Sequence, residues 1–289
     1  MNTPARRLAE AWRKHERRWK DHLFVYAVVS RRSGGVSIGL NLSPDKACNF
    51  NCVYCQVERG EPGLSTSVDP DRLAAELDNI LQAEKDGSLY MEAPFDALLP
   101  AERGLRDIAF SGNGEPTSYF RFEEVVRIAA EARRAFGLQS SKLVLITNAT
   151  YLDNPSICAA LGILYENNGE IWAKLDAGTE AYFCEVNRSK VSLSKIIENI
   201  QTAARLHPLI IQSLWMRING EPPDETELAA WLGRLKDVLA DGGRLKAVQL
   251  NTLARNPAES HISPLTRGEL ERIATFVRSE IPVPVEIYA

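Results

Sequence analysis

Lys142-Leu143-Val144-Leu145-Ile146-Thr147 runs into Asn148-Ala149-Thr150 and then, past Asn154-Pro155, into an amphipathic stretch over 156–167. A six-residue run rich in apolar and β-branched side chains predicts a buried strand. A polar tripeptide predicts the loop after it, and Asn-Pro is a helix start signal. The same order recurs on both sides. Strands are predicted at 36–42, 107–111, 142–147, 170–176, 210–217 and 245–250. Helices are predicted at 72–84 after Asp69-Pro70, and at 122–136, 156–167, 193–206, 224–240 and 266–279. Six strand-then-helix units imply parallel strands joined by right-handed crossovers, because each helix returns the chain to the same end of the sheet. The fold class expected is α/β, a partial (β/α)6 barrel of parallel strands, with 283–288 as an extra strand. In such barrels chemistry gathers in the loops after the strands' C-terminal ends.

The chain has 289 residues, 45% of them hydrophobic and 25% charged, enough for one large core. Residues 35–289 are read as a single core domain and 1–34 as a basic, helical extension with a lead-in helix near 5–20. The extension holds nine Lys or Arg against three acids, within a whole-chain charge of −4. That excess offers RNA as a partner, with Trp12 and Trp19 as contacts; the plainer alternative is a solvated helix whose tryptophans rest on apolar surface. No apolar run is long enough to cross a bilayer and no secretory leader is visible, so a cytoplasmic protein without a membrane partner is expected.

Three of the five cysteines crowd into the loop after the first strand, Cys48-Asn49-Phe50-Asn51-Cys52-Val53-Tyr54-Cys55. The C-x3-C-x2-C spacing lets one short loop offer three thiolates to a [4Fe–4S] cluster and leaves one iron without a protein ligand, where S-adenosylmethionine (SAM) would chelate. The alternatives are inert thiols, or a zinc site needing a fourth ligand; no His lies near the triplet in sequence. Cys158 and Cys184 fall in helical regions and read as small buried hydrophobes.

These residues resemble the radical SAM superfamily signature, C-x3-C-x-aromatic-C, with Tyr54 in the aromatic place. The resemblance implies that Cys48, Cys52 and Cys55 hold the cluster and that Tyr54 packs beside the adenine of SAM. Ser111-Gly112-Asn113-Gly114-Glu115-Pro116-Thr117 is similar to the family's Gly-Gly-Glu-Pro motif, with Asn113 in place of the first glycine. It implies that Gly112, Asn113 and Gly114 let backbone approach the methionine ammonium, while Glu115 adds a negative partner or fixes the loop. Thr147-Asn148-Ala149-Thr150 and Lys174-Leu175-Asp176-Ala177, followed by Val186-Asn187-Arg188, are similar to later family stretches. They offer Asn148 and Asp176 to the cofactor, unless these cap their own loops. Lys174, Asp176, Arg188, Arg217 and Arg255 are substrate-side candidates, unless the arginines pair with neighbouring acids.

Val248-Gln249-Leu250-Asn251-Thr252-Leu253-Ala254-Arg255-Asn256-Pro257 resembles the branch grouped with the tRNA wyosine-forming enzymes, whose additional N-terminal cysteines have no counterpart before Cys48. The activity implied is reductive cleavage of SAM to a 5′-deoxyadenosyl radical, with electrons from a reducing partner such as flavodoxin or ferredoxin. An RNA-modifying enzyme and a non-catalytic metal-binding protein are the alternatives. No protein side chain is assigned as catalytic.

Overall fold

The computed structural model describes residues 10–12, 19–255 and 259–289, in two compact units. The first comprises residues 1–47, 59–145 and 159–170; the second comprises 48–58, 146–158 and 171–289. In the first, β1 (Val25–Ser30) lies antiparallel to β2 (Gly35–Leu40), and β2 is parallel to β3 (Leu105–Phe110) and β3 to β4 (Lys142–Thr147). In the second, β5 (Gly169–Lys174), β6 (Leu209–Leu214), β8 (Leu245–Asn251) and β10 (Val285–Tyr288) run parallel in that order, beside a small antiparallel pair, β7 (Met216–Ile218) and β9 (Ile262–Pro264).

The helices follow the strands in the expected alternation: α1 (Pro70–Lys85), α2 (Phe122–Ala135), α3 (Pro155–Glu166), α4 (Glu180–Val186), α5 (Leu193–Leu206), α6 (Glu225–Ala240) and α7 (Arg267–Glu280). The class is α/β with the six strand–helix units of a partial (β/α)6 barrel. Start signals read from sequence operate locally. Asp69 accepts from the Asp71 and Arg72 amides ahead of α1, Asp224 from Glu227 ahead of α6, and Thr266 from Glu269 ahead of α7 in a reciprocal capping box.

Expectations for the N-terminal segment and for two strands are corrected. The extension 1–34 is not helical throughout, because Val25–Ser30 is a fully buried strand. It is held at its entry by the buried Glu76 carboxylate, which accepts from the Leu23, Phe24 and Val25 amides. Of the lead-in helix, residues 10–12 are helical; most of 5–20 lies outside the described residues. Trp19 is buried, edge-on to His22, in line with the plainer alternative that seats it on the protein. Strand 170–176 ends at Lys174, which leaves Asp176 in the loop, and strand 210–217 breaks into β6 and β7.

Candidate functional site

Cys48, Cys52 and Cys55 are all half-buried thiols in the second unit, on a loop held at two backbone points. Asn51 N donates to Asn187 O at 3.2 Å and Val53 N to Val186 O at 2.9 Å, so the loop pairs with the C-terminal end of α4. Val53 is sealed among Val186, Met216, Leu253 and Ile262, and Phe50 meets Phe183 edge-on at 5.7 Å. A turn from Cys55 N to Cys52 O closes the triplet. Apolar residues between the cysteines thus act as anchors for the loop. Among the described residues no three His, Cys, Asp or Glu side chains converge on a single-ion site. A cuboidal cluster makes a different demand, taking its three ligands at separate corners, and the donor set of three thiols on one loop fits it.

Asp176 is the hub of the surrounding polar groups. Its buried carboxylate accepts from Tyr54 OH, from Asn187 Nδ2 at 3.1 Å and from Leu214 N at 2.9 Å, with Lys174 Nζ at 3.4 Å. Four partners on one carboxylate offset the cost of taking its charge out of water. Tyr54 is half-buried as a residue but encloses its hydroxyl, and burial together with Asp176 holds the phenol well above its ordinary value, so it stays a neutral donor. Lys174 Nζ lies 4.7 Å from the Tyr54 ring centroid, a cation–π contact that fixes the ring further. Burial pushes the Cys52 thiol up to about 11, against the opposing pull of Lys174 and of hydrogen bonds from Tyr54 and Asn187.

Asn148 has a double role in this geometry. Its Oδ1 accepts from the Thr150 amide and hydroxyl, the local capping that sequence offers as the alternative, while Nδ2 donates to Asn49 Oδ1 at 2.7 Å and so ties the strand end to the cysteine loop. Ala149 adopts φ +66° and is fully buried. The Ala149 and Thr150 carbonyls both accept from the buried Asn199 Nδ2, which holds this left-handed turn.

The Ser111–Thr117 stretch belongs to the first unit. Gly112 and Gly114 have no left-handed φ; close approach is what requires them. A Cβ at Gly112 would meet Asn41, and one at Gly114 would meet Ala47 O and Ser43 Oγ. Asn113 N donates to Asn41 Oδ1 at 3.0 Å. The Glu115 carboxylate is buried and accepts from the Thr117 amide and hydroxyl, so it holds the loop, the second of its two expected roles.

Of the arginines, Arg188 pairs with Glu259 through two hydrogen bonds and Arg217 with Glu269, both the acid pairings weighed beforehand. Cys158 is half-buried, its thiol donating to Leu152 O, and Cys184 is exposed on α4, which corrects its reading as a buried hydrophobe. Sequence reading passed over two features. One is Asn187, quoted in a motif but given no role. The other is a polar row at one level of four adjacent strands, Lys174, Gln212, Gln249 and Glu286. Gln212 donates to Gln249, and Gln249 and Tyr288 both donate to Glu286. The signal was a glutamine in an otherwise apolar strand, Leu209-Ile210-Ile211-Gln212.

Comparison with known proteins places this geometry. The UPF0026 protein of Helicobacter pylori is 23% identical over 254 residues, covering 87% of this chain and 73% of that protein. A radical SAM methyltransferase from Sphaerobacter thermophilus has a similar fold, with TM-score 0.60 and 14% identity over 92% of this chain and 69% of the other. So has TYW1 with a lysine–pyruvate adduct bound, with TM-score 0.54 and 14% identity over 94% of this chain and 81% of the other. No helix of the described residues is long and apolar enough to cross a membrane. The family model described as the radical SAM superfamily matches residues 42–232, a span that takes in the cysteine loop, the Asp176 hub and the Ser111–Thr117 loop, and on that match the chain belongs to the radical SAM superfamily.

Proposed function

We propose that the chain is a radical SAM enzyme in which Cys48, Cys52 and Cys55 hold a [4Fe–4S] cluster and SAM is the substrate of its one-electron chemistry. The observation that carries this reading is the cysteine loop itself. Three half-buried thiols are spaced by residues pinned to α4, with Tyr54 locked onto Asp176 beside them. When bound, the cluster and SAM supply reductive cleavage of the sulfonium and abstraction of hydrogen from a second substrate.

The protein's own groups do the positioning. Tyr54 offers a ring face of fixed orientation for adenine. Asp176 is fixed by four partners and presents a hydrogen-bond acceptor to the cofactor. Asn148 steadies the loop through Asn49, and Gly112, Asn113, Gly114 and Glu115 shape a tight turn suited to the methionine end. The row Lys174, Gln212, Gln249 and Glu286 favours a polar second substrate, since four adjacent strands devote one side-chain level to hydrogen-bonding groups rather than aliphatic packing. Electrons come from a reducing protein of the flavodoxin or ferredoxin class, for which dithionite substitutes in vitro.

The test is anaerobic reconstitution with iron and sulfide, then dithionite and SAM. Reductant-dependent release of 5′-deoxyadenosine, absent from Cys52→Ala, is the expected result. A chain that takes up iron and sulfide yet never cleaves SAM would leave only the non-catalytic metal-binding alternative.

A further inference from the structure

Asn187 closes α4, its amide donating to Phe183 O at 2.8 Å, and an asparagine there could serve that helix alone. Its side chain does otherwise. It is buried, and Nδ2 sends one hydrogen to Cys52 Sγ at 3.6 Å and the other to Asp176 Oδ2 at 3.1 Å, while Oδ1 is left buried without a partner among the described residues. The orientation is fixed by chemistry, because the flipped amide would set Oδ1 against the Asp176 carboxylate. A buried side chain that leaves its acceptor unsatisfied in order to place two donors indicates that the donors are what the position requires.

We infer that Asn187 is a positioning residue for the cluster, a side-chain N–H donor to the sulfur of Cys52 that raises the cluster's reduction potential and couples that sulfur to Asp176. The inference rests on the cluster reading above. Adding an electron makes the ligand sulfurs more negative, so a donor held on one of them stabilises the reduced form more than the oxidised form. The second hydrogen holds the amide in place: with Asp176 fixed by Tyr54 and the Leu214 amide, the donor cannot swing off the sulfur. Any ligand that draws on the Asp176 carboxylate then acts on Cys52 through this amide, beside the route through Tyr54.

The experiment is redox titration, followed by electron paramagnetic resonance, of the anaerobically reconstituted full chain. Asn187→Leu removes the donors at similar volume, and Asn187→Asp keeps the shape while replacing donors with acceptors. Each variant should therefore carry wild-type iron and sulfide but show about a tenfold lower ratio of reduced to oxidised cluster at a fixed ambient potential. For a one-electron couple that is a downward shift of about 59 mV. Full loading with an unchanged potential overturns the inference and leaves the cluster reading intact. Loss of cluster or fold in both variants also overturns it, in favour of a structural role at the end of α4. A wild-type chain that takes up no iron or sulfide sinks both.

Discussion

The Tyr54 hydroxyl is one of four partners on a buried carboxylate, and its removal separates positioning from packing. In Tyr54→Phe the ring stays while Asp176 loses a donor that nothing nearby replaces. Leaving a buried acceptor short costs about 1–3 kcal/mol. Urea unfolding should register that loss, and SAM affinity should fall with it. Gly114 gives a complementary case. The obstacle to a side chain there includes the backbone carbonyl of Ala47, which cannot swing aside as a flexible side chain would. Gly114→Ala should raise the SAM Kd by tenfold or more, about 1.4 kcal/mol, at unchanged iron content, as read by equilibrium dialysis. A Kd equal to wild type would remove this loop from the cofactor site. The glycine pair was legible in sequence, but its reason was not. Ordinary backbone angles with an intolerant neighbour appear only when Asn41, Ser43 and Ala47 are brought against it.

At the scale of elements, the capping box of α7 links stability to pH. Glu269 accepts from the Thr266 amide and hydroxyl and pairs with Arg217, and these hold its carboxyl below the ordinary value of 4.5. A lowered folded value means that its contribution is fully present above pH 4.5 and is lost as pH falls through the lower folded value. Glu269→Gln should therefore be less stable than wild type at pH 7, and the difference should shrink on acidification below 4.5, measured as urea midpoints across a pH series. Helix starts of this kind were readable because a cap is a local event within four residues. Strand ends were less so. Asp176 ends the strand read at 170–176, but its carboxylate accepts from the Leu214 amide at the end of the next strand, and β5 stops at Lys174.

Across the whole molecule, the six-fold alternation was legible because buried parallel strands and amphipathic helices leave different periods in the chain. The pairing of β1 was not, since Val25–Ser30 becomes a strand only when β2 and Glu76 supply its hydrogen bonds. The polar row escaped for a similar reason: register across β5, β6, β8 and β10 places four separate side chains at one level. A double-mutant cycle tests that row. Gln249→Leu alone strips Gln212 of its acceptor and should cost about 1–3 kcal/mol, whereas Gln212→Leu with Gln249→Leu removes both members of the pair and should be nearer neutral. Additive losses in urea unfolding would show that the two amides do not act together.

Trp215 and Trp231, both fully buried and edge-on at 5.3 Å, stand behind this region, with Tyr182 6.0 Å from Trp215. Trp231 Nε1 donates to Leu175 O, the residue between Lys174 and Asp176, whereas the Trp215 indole N–H meets no acceptor among the described residues. Indoles in so dry a setting emit at the blue end of their range, and an iron–sulfur chromophore nearby absorbs that light. Under the cluster reading proposed above, the second unit would contain its own optical gauge: darkening of the short-wavelength emission on anaerobic reconstitution would follow cofactor uptake in real time, with no label attached.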